Sequence, residues 1–189
     1  MSYLSDTGLF LIDAALGFYI LIVMFRFLLQ MTRADFYNPL SQFVVKASNP
    51  ALAPLRRIIP GLAGIDLAAV ILLMALESLR LALLALLMGH VPNVLGLVIL
   101  SLGELLKLAA YIVIFCIFVR AILSWFSSGR GHPMVRLLGS FTEPILAPAR
   151  RLMPATAGLD LAPVIVFIAL TVFLKLIVQP LLDTGRALL

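Results

Sequence analysis

Charge is scarce in this chain. Only 12% of its 189 residues are Asp, Glu, Lys or Arg, while 63% are hydrophobic and the mean hydropathy is +1.16. A soluble domain carries about a quarter charged residues, so this composition excludes that class and points to a membrane protein. Cysteine is scarcer still. Cys116 stands alone in an apolar run, so no internal disulfide can form and the residue reads as packing. Histidine occurs only at 90 and 132, with no ligand partners at metal spacing. The sequence shows no phosphate-binding glycine loop, dinucleotide fingerprint or nucleophile elbow. No catalytic residue, metal or cofactor is therefore expected. The opening "MSYLSDTGLF" has no Lys or Arg and no small-residue cleavage site, so the first apolar run is expected to be a retained span rather than a secretion signal.

Long apolar runs are what the chain has in place of charge. A spanning helix needs roughly 20 apolar residues, and four runs qualify, approximately 9–31, 67–88, 98–126 and 161–182. Backbone polar groups in lipid must be satisfied internally, so such runs are helices. The expected fold is an all-α membrane protein with four transmembrane helices.

The chain also repeats itself. "NPALAPLRRIIPGLAGIDLA" at 49–68 returns 94 residues later as "EPILAPARRLMPATAGLDLA" at 143–162. Aligned without gaps, residues 38–76 match residues 132–170 at 17 of 39 positions. The same offset pairs Arg26 with Arg120. The chain thus divides into two units, 1–94 and 95–189, each a helix, a proline-rich loop and a helix. Each unit crosses twice, so both copies point the same way, as a parallel two-helix repeat.

Lys and Arg settle the expected orientation. One loop carries Arg33, Lys46, Arg56 and Arg57, and the other Arg130, Arg136, Arg150 and Arg151. The opposite side holds almost none beyond Arg186. The positive-inside rule places both loops in the cytoplasm and both termini outside. The net charge of +5 is on this reading a topology signal. No aromatic interleaving or binding motif accompanies it, so no nucleic acid is expected.

Each loop reads as two parts. Residues 39–48, "PLSQFVVKAS", set Leu40, Phe43, Val44 and Ala47 on one face and Ser41, Gln42 and Lys46 on the other, the pattern of a short interfacial helix. Its partner "PMVRLLGSFT" shows the pattern more weakly, through Val135, Leu138 and Phe141. Pro50 and Pro144 then suit the first turn of a helix capped by Asn49, or by Thr142 or Glu143. Pro54 and Pro148 oppose its continuation, and Pro60 and Pro154 end it. Gly64 and Gly158 permit a turn, and Asp66 and Asp160 start the next span. The expected object is a kinked elbow, pinned to anionic headgroups by Arg56, Arg57, Arg150 and Arg151. A re-entrant loop is the competing geometry. Phe36, Tyr37, Trp125 and Phe126 read as interfacial anchors.

The run "NPLSQFVVKASNPALAPLRRIIPGLAGIDLA" resembles the YggT (YlmG-like) family of small integral membrane proteins. The likeness covers both repeats, through the pattern xP…LxPxRRxxPxxxGxDLxxx. The second copy departs from it at His132, where the first has Asn38, and adds Pro163 within the span. The resemblance implies an inner-membrane protein with no assigned enzyme activity. Members of the family have been linked to osmotic tolerance and cation uptake, to cell division or nucleoid distribution, and in plastids to cytochrome assembly. None of these links supplies a catalytic residue.

Six ionisable residues fall inside the spans. Asp13 and Lys107 each lie 13 positions before an arginine, Arg26 and Arg120, or roughly 20 Å along a helix. Glu77, Arg80, Glu104 and Lys175 fall at similar depth, so three acids and three bases share one layer. Unpaired charges there are costly, so they are expected to pair. Asp13 and Lys107 are repeat equivalents of opposite sign, which predicts contact between the copies. Arg26 and Arg120 are expected to snorkel or to meet Asp66 and Asp160. Two functions compete. One is a non-catalytic scaffold or assembly factor acting through the loops. The other is a small ion-conducting or osmotic-response protein using the charged layer. The expected partners are the bilayer, its anionic headgroups, and a membrane protein or a second copy of the chain.

Overall fold

The computed structural model describes residues 3–62, 64–126, 132–152 and 160–189, the side chains of Leu4, Ser5, Ser124, Trp125 and Phe126 excepted. The chain runs α1 (Tyr3–Met31), α2 (Pro39–Ile58), α3 (Leu67–Leu87), α4 (Val94–Phe126), α5 (Pro133–Leu152), α6 (Ala162–Phe173), a π-helical turn (Leu174–Val178) and α7 (Gln179–Leu188). Four stretches are long and apolar enough to cross a membrane: Asp6–Met31, Leu67–Leu87, Val94–Leu123 and Ala162–Leu188. They correspond to the four predicted runs, and the element order is the same in both halves: span, elbow helix, span. Large apolar side chains such as Phe18, Ile71, Phe115 and Ile168 face outward, as lipid-facing residues do.

One core joins the two copies. Ile20, Val23 and Leu28 of α1 pack in a single cluster with Leu52, Leu73, Ile117, Phe141 and Leu146. The rings of Phe25 and Phe141 lie 6.1 Å apart across the repeat boundary. Cys116 is buried in the same cluster, as a packing residue. Two hydrogen bonds tie the start of the first elbow to the second elbow. Asn38 Nδ2 donates to the Pro133 carbonyl at 2.7 Å, and the Asp35 amide donates to Ser140 Oγ at 3.0 Å.

The fourth span departs from regular helix at Leu174–Val178, well after Pro163. Pro163 sits in the first turn of α6, where its missing N–H is no loss. Pro180, at the start of α7, has no N–H to give the Leu176 carbonyl and crowds it, and the π-helical turn immediately before it widens the backbone at that point. Beyond the turn, α7 packs closely on α4 through small residues. A Cβ built at Gly185 would meet the Leu100 backbone nitrogen at 2.7 Å, and one at Gly103 would meet Leu182 at 2.8 Å. The glycines expected to matter in the sequence are the turn residues Gly64 and Gly158, and neither belongs to this helix contact. Gly64 does hold a turn, at φ +84°, while Gly158 lies outside the described residues.

Gly185→Ala should therefore force α4 and α7 apart and destabilise the protein by about 1–3 kcal/mol. Gly17→Ala, with open space around the added carbon, should be neutral or slightly stabilising. Thermal midpoints in one detergent distinguish them, and equal midpoints would contradict the close packing.

Candidate functional site

The two elbows are longer and more regular than the sequence suggests. Each is one 20-residue helix, with Pro50 and Pro54 inside α2 and Pro144 and Pro148 inside α5. An internal proline costs about 3 kcal/mol by removing a hydrogen bond and crowding the carbonyl four residues back. Here each pair is spaced by four, so both prolines fall on one face of the helix. All four are exposed, so the crowded carbonyls lie on the outer side, away from the core. The opposite face is buried: Ser41, Val44, Ser48 and Leu52 in α2, and Leu138, Phe141, Thr142, Leu146 and Ala149 in α5. This corrects the predicted faces. Phe43 points outward and Ser41 points in.

The predicted caps are corrected as well. Asn49, Thr142 and Glu143 lie in helix interiors. Asn38 is the cap of α2, its side chain accepting from the Leu40 amide at 3.0 Å. In the second copy His132 stands in that place, and its Nδ1 accepts from the Met134 amide at 3.3 Å.

Arginines from the spans hold each elbow down. Arg26, only 6% exposed, donates from Nη1 to the Val45 carbonyl (3.1 Å), Ser48 Oγ (2.8 Å) and Asn49 Oδ1 (2.8 Å). Its repeat equivalent Arg120 donates to Thr142 Oγ1 (2.6 Å) and Glu143 Oε2 (2.9 Å). Neither meets the aspartates that the sequence reading offered it. Arg56 takes Asp66 instead, donating from Nε at 3.0 Å and from Nη2, and Arg150 takes Asp160 at 2.9 Å. Both aspartates also face the start of the following span: Asp66 Oδ1 accepts from the Ala69 amide (3.2 Å), and Asp160 Oδ1 from the Ala162 amide (3.0 Å). Each elbow is thus tied at its middle to the preceding span and at its end to the next.

The copies differ at one central position. Glu143 stands where the first copy has Asn49, and it bridges Arg120 and Arg150. Burial pushes the Glu143 carboxyl up, but the Arg120 hydrogen bond and the charges of Arg150 and Arg120 hold it below its usual range. Burial likewise raises Asp160, while the Ala162 amide and Arg150 bring it below the usual range. Arg150 is pulled down by burial and pushed above its usual value by Asp160 and Glu143. The second elbow therefore carries a closed chain of charges, Arg120–Glu143–Arg150–Asp160.

Arg57 and Arg151 are exposed and line the outer stripe with the prolines. Pro60 follows the end of α2, while Pro154 and Arg130 lie outside the described residues. Phe36 and Tyr37 are exposed and meet edge to face at 6.0 Å. The predicted anchor side chains of Trp125 and Phe126 lie outside the described set.

The charged layer forms two groups. Arg80 reaches Asp13 of α1 at 2.6 Å and Glu77 at 2.5 Å, with Glu77 only 2% exposed. Lys107 pairs with Glu104 at 2.9 Å, and Arg186 approaches the same carboxylate at 3.6 Å. The expected contact between Asp13 and Lys107 is absent among the described ion pairs, because each finds its partner within its own repeat. Glu77, Arg80, Glu104 and Lys107 nevertheless line one cavity of about 190 Å³ between the copies. Lys175 sits exposed in the π-helical turn and makes no ion pair among the described residues. The role of Arg186 was missed because it sits in a tail that reads as outside the spans.

Four helices long and apolar enough to span, two in-register repeats and paired proline-containing elbow helices define a multi-pass α-helical membrane protein. The sequence model of the CCB3/YggT family matches the chain twice, over residues 5–87 and 99–181, and the chain belongs to that family. It is 39% identical over 180 residues to an uncharacterized protein of Pseudomonas aeruginosa, covering 94% of this chain and 91% of that one. It is 44% identical over 163 residues to an uncharacterized protein of Vibrio alginolyticus, covering 85% and 88%. It is 35% identical over 184 residues to the uncharacterized protein YggT of Escherichia coli strain K12, covering 97% and 96%. No solved structure matches.

Removing Arg80 would leave Glu77 buried without its cation. Arg80→Ala should cost about 3 kcal/mol, in the range for breaking a buried pair, whereas Lys175→Ala should change stability by less than about 0.5 kcal/mol. Thermal unfolding in nanodiscs reads both. A mild Arg80→Ala would mean that Glu77 is not held in the core by this pair.

Proposed function

We propose that the protein is a non-catalytic scaffold or assembly factor of the bacterial inner membrane. It acts through the outer faces of its two elbows, which lie on the cytoplasmic side with both termini periplasmic. The observation that carries this reading is the doubled outer stripe. Pro50, Pro54 and Arg57 in one elbow, and Pro144, Pro148 and Arg151 in the other, are exposed in register, while the inner faces are fixed by Arg26 and Arg120. A surface held from beneath and repeated about one molecule suits a partner that touches both copies, such as another membrane protein. It also rests at headgroup level, where its arginines favour anionic lipid.

The charged cavity between the copies favours a second reading, a small ion-conducting or osmotic-response protein. Its acids face bases across 2.5–2.9 Å ion pairs, an arrangement suited to holding helices in register. Lone acids would serve conduction better, so the scaffold reading leads.

A photoreactive residue at the exposed position Ala53 should trap the same membrane protein reproducibly in intact cells, and reversing both outer charges with Arg57→Glu and Arg151→Glu should abolish that crosslink. Liposomes holding the purified chain alone should show no cation flux. Flux that disappears in Glu77→Gln or Glu104→Gln would instead establish the conducting reading and sink the scaffold.

A further inference from the structure

The first elbow shelters a cleft of about 430 Å³ between the end of α1 and the inner side of α2. Three arginines line it, Arg26, Arg33 and Arg56, with Gln30. One of the two nearby anions, Asp66, sits on a cleft arginine, Arg56, which binds it through Nε and Nη2. Arg56 also donates from Nη2 to Gln30 at 2.9 Å, leaving its Nη1 without a protein partner among the described residues. The other, the Asp35 carboxylate, accepts from the Tyr37 amide at 3.1 Å. All three hydrogen bonds of Arg26 leave from Nη1. Its Nη2 and Nε have no protein partner among the described residues, and no partnerless side-chain nitrogen there is sealed from solvent. Neither nitrogen is sealed off, and Arg26 lines the cleft.

Two comparisons within the chain show what the cleft lacks. In the second copy the counterparts of Arg26 and Arg56 share a carboxylate, Glu143, that bridges them directly. The first copy has the neutral Asn49 at that place. Asn49 satisfies one hydrogen bond of Arg26 and supplies no charge. The first copy also adds a cation, since the sequence counterpart of Arg33 is Ser127, which lies outside the described residues. Counting Arg26, Arg33, Arg56 and Asp66, the first set carries +2; Arg120, Arg150, Glu143 and Asp160 sum to zero.

Arg33 is also held at a cost. Helix α1 ends with the Ala34 amide bonded to the Leu29 carbonyl (2.9 Å) and the Arg33 amide to the Gln30 carbonyl (3.1 Å). This closing motif puts Arg33 at φ +52°, the left-handed conformation that glycine adopts most easily. A side chain there costs about 1–2 kcal/mol. Backbone strain of this kind persists at functional sites when the side chain is needed, and here the side chain lines the cleft.

We infer that this cleft is a binding site for one phosphate group. Arg26, Arg33 and Arg56 grip the phosphate oxygens, and the ligand takes the electrostatic place that Glu143 fills in the second copy. Guanidinium forks match phosphate oxygens two at a time, and a phosphate dianion balances the +2. The chemistry is shared by the headgroup of an acidic phospholipid and by a soluble phosphate compound. The site does not rest on the scaffold reading, since a chain that recruits no partner would still have it.

The test uses the full chain in neutral phosphatidylcholine nanodiscs. One arm titrates inorganic phosphate, and the other dopes the disc with phosphatidic acid and counts retained lipid by native mass spectrometry. One saturable phosphate-bearing molecule per chain is expected in at least one arm, and the arm that responds names the source. Arg33→Gly relieves the strained backbone, so it should keep or raise the thermal midpoint while weakening binding at least tenfold. Asn49→Glu installs the carboxylate of the second copy and should abolish binding in a folded protein. Absence of saturable binding in both arms overturns the proposal. So does wild-type affinity in folded Arg33→Gly and Asn49→Glu.

Discussion

The structure depends on where a guanidinium finds acceptors at the end of a membrane span. Arg26, buried, and Arg120, partly exposed, sit one turn or more inside their helices, where a guanidinium needs acceptors. Each finds acceptors on the elbow helix that follows: a hydroxyl, Ser48 or Thr142, and a side-chain oxygen one residue later, Asn49 or Glu143. That choice fixes the elbow against the bundle. It also leaves Asp66 and Asp160 to the first arginine of each double-arginine pair, so the elbow's end is fastened to the start of the next span. Sequence spacing, helix packing and the placing of the outer surface thus follow from one recurrent set of contacts.

The prolines make sense in that frame. Along a bare sequence, Pro50 and Pro54 argue for a broken helix. In the folded chain their spacing of four gathers both lost hydrogen bonds on the outer side, while Val44, Ser48 and Leu52 stay packed beneath. A helix that could not stand alone persists because its inner face is buried and clamped. The same residues that weaken the helix give its outer face a rigid, N–H-poor surface bordered by Arg57 and Arg151.

The doubled architecture was legible in the sequence because the 94-residue offset carries it: prolines, arginines and aspartates return in register, and span length alone separates the helices. The site was legible by composition but not by pairing. Arg56, Arg150, Asp66 and Asp160 are visible as repeated charges, yet nothing local says that Arg56 rather than Arg26 reaches Asp66. The cap at Asn38 was hidden by the more prominent Asn49 before a proline. The contact of Gly185 with Leu100 joins residues 85 positions apart, and only tertiary packing reveals it. Equivalence between the copies was also a poor guide to partners, since Asp13 and Lys107 each pair within their own half. The copies share a frame and differ in charge, most clearly at Asn49 and Glu143.

The central claim is that each elbow is a continuous helix held by the arginine of the preceding span. Hydrogen exchange of the full chain in nanodiscs, followed by mass spectrometry, tests it most directly. Slow exchange is expected through 44–58 and 138–152 in the wild-type chain, and fast exchange in the first segment alone after Arg26→Ala. Elbows that exchange in the wild-type chain as fast as unstructured peptide, or an Arg26→Ala variant that leaves 44–58 as slow as before, would contradict it.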